Sequence, residues 1–496
     1  MNNKYKFLWL LCIFLGIVAC DEEEYTVITA EPLPALVQGN VDFSNYVAVG
    51  ASSTAGYTDG AVFIAGQENS FPNILSQQFA NIGGGSFTQP LMNDNNGGLL
   101  FGGQQIAGPR LYFNGAGPAQ SPNSPTTEVT NVISGPFNNM GVPGAKSFHF
   151  VAPGYGNVAG VPLGLANPYY ARMATSSSAT VLGDALAQNP TFFTLSEVGG
   201  NDVLGYALDG GAGENQLGNY DPATYGGSDI TDPNVFASVF SSMVTGLTVN
   251  GAKGVVTTVP DITSLPHFTT IPHNPIPLDT ANAAALNAGY AAYNGGLQYA
   301  YAALGGLFTL EEVQRRTITF SEGSNNTMVI IDESLTDLGM FSPLLAGIPK
   351  YRQATVEDLF VLSLSPFIPQ GYGTQIPLED KWVLTPEEQG YIKDAVDAYN
   401  GTIMAVASAN ASVAMVDLNA ILVEVSTTGI MFDDFNMTTD LVFGGAVSLD
   451  GVHLTARGNA LMANKFLEAI DANFETNFVE SGTVAKANDY NTLYPL

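Results

Sequence analysis

The sequence predicts an α/β fold with a mainly parallel sheet. Strand-like and helix-like runs alternate to about residue 475, as expected when each strand is followed by a crossover helix. Hydrophobic residues make up 46% of the 496-residue chain and charged residues only 12%, which is typical of a folded domain with a large core. Composition is even and no internal repeat is present. The sequence therefore favours one elaborated domain over two.

The first residues resemble the signal of a bacterial lipoprotein. Lys4 and Lys6 precede an apolar run from Phe7 to Ala19, which is too short to span a bilayer. The run ends in Ile17-Val-Ala-Cys20, which is similar to a lipobox and implies cleavage before Cys20 and lipidation of its thiol. An ordinary signal peptide or an uncleaved anchor is the alternative interpretation.

The lipobox implies how the rest of the N-terminus is used. We expect a signal peptide at residues 1–19, a tether at 20–40 and attachment to the outer membrane through a lipid anchor on Cys20. The acidic residues after Cys20 resemble the export signal of some Bacteroidetes surface lipoproteins, although acidic tethers are common. The periplasmic and the surface side of the membrane both remain open.

Cysteine content and charge exclude several classes of function. The chain has two cysteines, Cys12 in the expected signal peptide and Cys20 at the lipobox. Disulfides, thiolate metal sites and cysteine catalysis are therefore not expected. The formal net charge is −30, from 15 basic and 45 acidic residues, so nucleic acid is not expected as a partner. Oligomeric state is left open.

Apolar runs and capping signals mark the individual elements. Thr385-Pro-Glu-Glu388 combines an N-cap, an N1 proline and a capping glutamate, which predicts a helix to about Ala409. Further helices are predicted at about Asp279–Leu304 and Gly458–Phe474. Four apolar runs predict buried strands: Tyr46–Val49, Thr191–Val198, Gly254–Val259 and Ser412–Val416.

The interval between the third and fourth predicted strands is long for one sheet. We therefore expect an insertion at about residues 280–384 within a domain that covers 41–475, followed by a C-terminal tail at 476–496. The insertion contains the apolar, Gly-rich loop Pro366–Pro377. This loop is either a cover for a substrate cleft or an ordinary surface loop.

Three short segments, far apart in the sequence, carry side chains suited to acyl transfer. Ser52 follows the first strand in a Gly-flanked turn, which exposes a hydroxyl for attack. Gly199-Gly-Asn201-Asp202 offers an amide donor. Asp450-Gly-Val-His453 has the spacing at which a carboxylate orients an imidazole. Each segment alone is as readily a turn or a structural histidine, but their order along one chain favours a catalytic site.

These segments resemble the blocks of the SGNH (GDSL) hydrolase superfamily, which run Ser, Gly, Asn and Asp-x-x-His. The resemblance implies a flavodoxin-like three-layer α/β/α fold. It also implies that Ser52 is the nucleophile, His453 the base and Asp450 its partner. The oxyanion hole would consist of the N–H groups of Ser52 and Gly144, the latter in Asn139–Ala145, and the side-chain amide of Asn201. No metal or organic cofactor is implied.

One position departs from the pattern of the superfamily. The family aspartate before the nucleophile is replaced by Ala51. Because this aspartate is outside the triad, its loss is expected to weaken local hydrogen bonding rather than abolish the chemistry.

The substrate is less defined than the reaction. The 28 Phe and 21 Tyr residues and the apolar loops favour an ester with a hydrophobic acyl group, hence a lipase-like esterase. Deacetylation of an acylated glycan is the second interpretation, because aromatic rings also stack on sugars. A surface lipoprotein that binds glycan or lipid without turnover is the third. His267 is a candidate for substrate contact or a structural histidine.

Overall fold

The computed structural model describes residues 32–496, and Leu36–Leu496 form one compact unit. The predicted signal peptide at 1–19, the predicted lipidation site Cys20 and residues 20–31 of the predicted tether lie outside the described residues. Within residues 32–496, no helix is both long and apolar enough to cross a membrane.

A five-stranded sheet, parallel throughout, forms the centre of the fold. Its strands, in chain order, are β1 (Tyr46–Gly50), β2 (Asn139–Gly141), β3 (Phe192–Ser196), β4 (Lys253–Thr257) and β5 (Val413–Val416). Their order in the sheet is β2-β1-β3-β4-β5. The mixed α/β class, the parallel sheet and the four strands predicted from apolar runs are confirmed.

Strand β2 was not predicted, because its three residues contain a single apolar side chain, Met140, and are too short for a hydrophobic run.

Helices bury both faces of the sheet. Alternate residues of β1 point to opposite sides, so Val47 and Val49 join one hydrophobic core while Tyr46 and Ala48 join the other. The helices against the two cores are α1 (Phe71–Phe79), α2 (Asn201–Leu208), α3 (Pro233–Thr248), α4 (Pro386–Ser408), α5 (Leu418–Thr427) and α6 (Ala456–Phe474). Helices α2, α3 and α4 contribute to the first core, and α1, α5 and α6 to the second.

Helices α4 and α6 each begin with a side-chain cap, and the one at Thr385 was predicted. Thr385 and Glu388 form a reciprocal capping box at the start of α4. Thr455 caps α6 by accepting a hydrogen bond from the N–H of Gly458 at 2.9 Å. Because α6 begins three residues after His453, this cap also fixes the end of the loop that carries the histidine.

The interval between β4 and β5 contains the long helix Thr280–Leu304 and the helix α4. The first part of the predicted loop Pro366–Pro377 belongs to the 3₁₀ helix Leu362–Gln370, and the loop lines a cavity with Tyr290 of the long helix. This cavity is separate from the one that Ser52 lines. Short helices lie at Ile64–Glu68, Pro168–Ala171, Val181–Leu186, Pro266–Thr269 and Leu310–Arg316.

The remaining strands form antiparallel pairs outside the central sheet. They are Leu99–Phe101 with Gln104–Ala107, Leu111–Phe113 with Pro118–Gln120, Ile276–Leu278 with Gly323–Asn326, Val329–Ile331 with Tyr351–Gln353, Leu359–Phe360 with Val383–Leu384, and Ile430–Phe432 with Phe435–Met437.

Residues 476–496, which the sequence suggested as a tail, are packed into the compact unit. Phe478 is fully buried and its ring lies 5.7 Å from that of Phe43. The guanidinium of Arg110 donates a hydrogen bond to the carbonyl of Tyr494 at 3.2 Å. The C-terminal segment therefore contributes to the core and holds the buried side chain of Arg110.

Candidate active site

The candidate site lies at the carboxyl edge of the central sheet. Strands β1 and β3 are neighbours, and the chain leaves β1 towards one edge of the sheet and β3 towards the other. At such a point the loops after the two strands separate, which leaves a crevice for a ligand. Ser52 follows β1 and Asn201 follows β3, so both side chains start from this crevice.

The turn after β1 presents Ser52. Gly50 is required there, because a side chain would come within 2.2 Å of Thr54 Oγ1 and 2.5 Å of the Ser196 carbonyl. The N–H of Tyr57 donates to the carbonyl of Ser52 at 2.9 Å and closes the turn. Ser52 is 8% exposed and lines a cavity.

Asp450 and His453 form a hydrogen-bonded pair in the loop before α6. Asp450 Oδ2 lies 2.9 Å from His453 Nδ1, while Asp450 Oδ1 accepts from the backbone N–H of His453, also at 2.9 Å. The N–H of Gly60, in the loop after the Ser52 turn, donates to Oδ2 at 2.8 Å. These contacts orient the imidazole and connect the two catalytic loops.

The pKa values of the pair are shifted apart. Burial alone would raise the pKa of Asp450, but the charge of His453 and several N–H groups hold it well below its usual range. For His453, burial lowers the pKa, and the charge of Asp450 more than offsets this, so the net shift is upward. An ionised Asp450 beside a basic imidazole suits a general base.

Ser52, Asn201 and His453 line the same cavity. Within residues 32–496, no direct hydrogen bond joins the Ser52 hydroxyl to the imidazole of His453. Catalytic hydrogen bonds are often long in a free enzyme and shorten when substrate binds. The structure thus places Ser52, Asn201 and His453 around one space.

Of the three residues predicted to form an oxyanion hole, Ser52 and Asn201 line the cavity. Asn201 donates one amide hydrogen to the carbonyl of Ala145 at 3.1 Å, which leaves its second hydrogen free. Among the residues that the structure describes, none accepts a hydrogen bond from the backbone N–H of Ser52 or of Gly144. Gly144 has a left-handed backbone, with φ of +76°, and is exposed next to Ala145. It does not line the cavity itself.

Asp202 supports this arrangement and had no role assigned from the sequence. Its carboxylate is fully buried and accepts from the N–H of Ser147 at 2.7 Å and from the Ser147 hydroxyl at 2.6 Å. Asp202 therefore holds the segment after Gly144 against the start of α2. The feature of the sequence that could have indicated this role is the position of Asp202 beside Asn201 in the Gly-Gly-Asn-Asp segment.

Glu197 is a second carboxylate in the cavity that sequence analysis did not single out. It directly follows β3, and its backbone is left-handed, with φ of +60°. Its side chain lines the cavity together with Ser52, Ser53 and His453. The available signal was its place at the carboxyl end of a buried strand.

The cavity is mostly aliphatic beyond the catalytic groups. Helix α5 lines it with a stripe of apolar residues at helical spacing, and Lys465 of α6 lies among the lining residues. The other apolar lining residues include Leu204, Ile262, Leu265, Val447, Val452, Leu454, Leu461 and Met462. Such a lining fits a hydrocarbon chain.

His267 supports the catalytic loop and does not line the cavity. Its Nδ1 lies 3.0 Å from the carbonyl of Asp450, and its backbone N–H donates to the carbonyl of Gly451 at 3.0 Å. A side chain at Gly451 would come within 2.8 Å of the His267 nitrogen. His267 is thus a structural neighbour of the triad loop.

Glu333, Asp380 and Glu388 are close enough to share a cation, with oxygen atoms within 4.8 Å of one another. Glu388 already accepts from the N–H of Thr385 at 2.7 Å and from its hydroxyl at 2.9 Å as part of the α4 cap. Burial raises the pKa of Glu388 to about 8, which favours its neutral form. This group shares no residue with the catalytic cavity.

Comparison of the chain with protein-family models, curated proteins and solved structures found no match.

Proposed function

We propose that the protein is a serine ester hydrolase of the SGNH (GDSL) type, which cleaves carboxylic esters through an acyl-enzyme on Ser52. The observation that carries the proposal is the Asp450–His453 pair, at 2.9 Å, in the cavity that Ser52 and Asn201 also line. A nucleophile, a base with its orienting acid and an amide donor are the parts that acyl transfer needs.

The topology supports the same proposal. The strand order, with the second strand outside the first and the others following on the opposite side, is the flavodoxin-like order 2-1-3-4-5. In a sheet of this order the carboxyl ends of the first and third strands flank the ligand crevice. Ser52 and Asn201 follow these two strands, as the superfamily arrangement requires.

The mechanism has two steps. His453 Nε2 takes the proton of the Ser52 hydroxyl as Oγ attacks the ester carbonyl carbon, and the N–H groups of Ser52 and Gly144 and the amide of Asn201 stabilise the oxyanion. The alcohol leaves with the proton from His453. Water, activated by the same histidine, then hydrolyses the acyl-enzyme.

The aliphatic lining favours a substrate with a hydrocarbon acyl chain. Leu418, Ile421, Leu422 and Val425 present one face of α5 to the cavity that contains Ser52. An acetyl group would leave most of this surface without contact. An acyl lipid or a medium-chain ester is therefore the proposed substrate class, ahead of an acetylated glycan.

The proposal is tested by ester hydrolysis. The purified full-length protein and its Ser52→Ala variant are assayed with p-nitrophenyl esters from acetyl to palmitoyl. We expect turnover in the wild type that rises beyond acetyl and is abolished in the variant. A maximum at acetyl would favour the glycan deacetylase. A folded wild type with no turnover at any length would favour a binding protein.

We also propose that Cys20 carries a lipid that attaches the protein to the outer membrane. The lipobox-like Ile17-Val-Ala-Cys20 supports this proposal. Metabolic labelling with a palmitate analogue tests it: the wild type should be labelled and the Cys20→Ala variant should not. Label that persists in the variant would contradict it.

A further inference from the structure

Glu197 occupies a strained position in the catalytic cavity. A left-handed backbone costs a non-glycine residue on the order of 1 kcal/mol. The surrounding structure nevertheless holds φ at +60° here, and the N–H of Glu197 donates to the hydroxyl of Thr257 on β4 at 3.0 Å. Such strain persists where the neighbours fix the conformation.

The carboxylate of Glu197 holds the turn that presents Ser52. Its Oε2 accepts from the N–H of Ser53 at 2.9 Å and from the N–H of Thr54 at 3.4 Å. These are the two residues immediately after the nucleophile. With Ala51 in place of the family aspartate, the turn thus still has a carboxylate partner, which comes from the adjacent strand.

Glu197 also shares its cavity with His453. The two side chains line the same cavity, and the negative charge of Glu197 contributes to the upward shift of the His453 pKa. Burial raises the pKa of Glu197 and the net shift is upward, but the hydrogen bonds from Ser53 and the charge of protonated His453 oppose it. The carboxylate is consequently favoured most when His453 becomes an imidazolium.

We propose that Glu197 is a positioning residue of the esterase, which fixes the turn that carries Ser52 and supplies a second negative charge beside His453. An imidazolium forms each time His453 takes the proton from Ser52 or from water. A negative charge beside it stabilises that state in both steps. The kinetic part of this inference rests on the proposed esterase activity.

Other groups also face His453 and must stay constant in the test. The titratable groups around it are Asp450 in its own loop, Tyr57 in the turn after β1, His267 in the helix Pro266–Thr269 and Lys465 in α6. A variant that changes Glu197 alone leaves all of these in place.

The test uses Glu197→Gln and Glu197→Ala in the full-length protein, with Glu311→Gln in an exposed helix as the control for loss of one negative charge. Glutamine keeps an oxygen acceptor for the two N–H groups but removes the charge. We expect kcat to fall about tenfold in Glu197→Gln because the imidazolium is less stabilised. We expect a fall of about a hundredfold in Glu197→Ala, in which the turn also loses its partner.

A second readout does not depend on activity. The pKa of His453 is measured by NMR titration of the imidazole, with a His453→Gln spectrum to assign its signal among the four histidines. We expect the pKa of His453 to fall by about half a unit or more in Glu197→Gln. The acid limb of kcat/KM should move to lower pH by the same amount, and neither should change in Glu311→Gln.

The outcomes separate this inference from the proposed function. An unchanged His453 pKa in Glu197→Gln, or wild-type kcat in both Glu197 variants, would overturn the inference. If kcat falls while the His453 titration stays the same, Glu197 is merely structural and the inference is wrong. If the wild type hydrolyses no ester, the proposed function fails, and the His453 titration alone decides the inference.

Discussion

At the scale of single residues, the catalytic groups are surrounded by buried carboxyls that the mechanism does not use directly. Asp59 is 1% exposed, and its Oδ1 accepts from the N–H of Leu449 at 3.0 Å, next to the Asp450 loop. Its other oxygen is buried without a partner among the described residues. Burial, with a further contribution from the charge of Asp450, raises the pKa of Asp59 to about 7.

This shift makes a prediction about stability and pH. An Asp pKa is about 4 in the unfolded chain and about 7 here, so the folded state binds the proton more tightly. The contribution of Asp59 to the free energy of unfolding is therefore fully present below pH 4 and is lost as the pH rises through 7. We compare the free energy of unfolding of Asp59→Asn with that of the wild type at each pH. Between pH 4 and pH 8 this difference should change by roughly 2 to 4 kcal/mol in favour of the variant.

Urea unfolding at both pH values measures the effect, with the exposed Asp394→Asn as the matched control. The account of Asp59 is contradicted if Asp59→Asn and Asp394→Asn show the same dependence on pH.

The sequence identified the residues that have a recognisable spacing and missed those that act from neighbouring elements. Ser52, Asn201 and His453 were predicted from short segments, and the structure places all three around one cavity. Glu197 and Asp59 stand in no such pattern. Their roles arise from strand adjacency and from contacts between distant loops, which depend on the tertiary fold.

At the scale of elements, α5 forms one wall of the cavity. Leu418, Ile421, Leu422 and Val425 have the i, i+3, i+4, i+7 spacing of a helix face, and all four line the cavity. Val423, between them, is 48% exposed on the other side of the helix. The helical periodicity of α5 is present in the sequence. The helix was nevertheless not predicted, because its apolar residues directly follow the apolar residues of β5.

The apolar face of α5 leads to a prediction about which acyl-chain lengths the protein accepts. Leu422→Trp places a larger ring in the cavity, so kcat/KM for octanoyl and longer esters should fall at least tenfold while that for acetyl esters is unchanged. Val423→Trp adds the same ring on the exposed side and should leave the chain-length profile intact. An equal loss for all esters, or no change in Leu422→Trp, would show that α5 does not select the acyl group.

At the scale of the whole molecule, the fold joins segments from both ends of the chain. Phe478 packs against Phe43 and Phe79, with ring centroids 5.7 and 5.9 Å apart, and these rings also contact the central strand residue Phe192. The sequence suggested a tail here, because residues 476–496 have no strong periodicity. Burial of single aromatic side chains within an irregular segment is not visible in a periodic pattern.

This packing predicts a stability effect far from the active site. Phe478→Ala should lower the free energy of unfolding by about 3 kcal/mol, since it leaves a cavity in the second core. Val479→Ala, at a side chain that is 48% exposed, should change it by less than about 0.5 kcal/mol. Chemical denaturation of the two variants compares them. Equal stabilities would mean that the C-terminal segment does not belong to the core.

Covalent labelling shows whether His453 activates Ser52 as a nucleophile. A fluorophosphonate reacts with an activated serine: Oγ bonds to phosphorus and fluoride leaves. After labelling of the full-length protein, chymotryptic digestion and fragment mass spectra locate the adduct, and can separate Ser52 from Ser53. We predict an adduct on Ser52 that is absent in Ser52→Ala and strongly reduced in His453→Ala. An adduct on another serine, or a folded protein that takes up no label, would contradict the account.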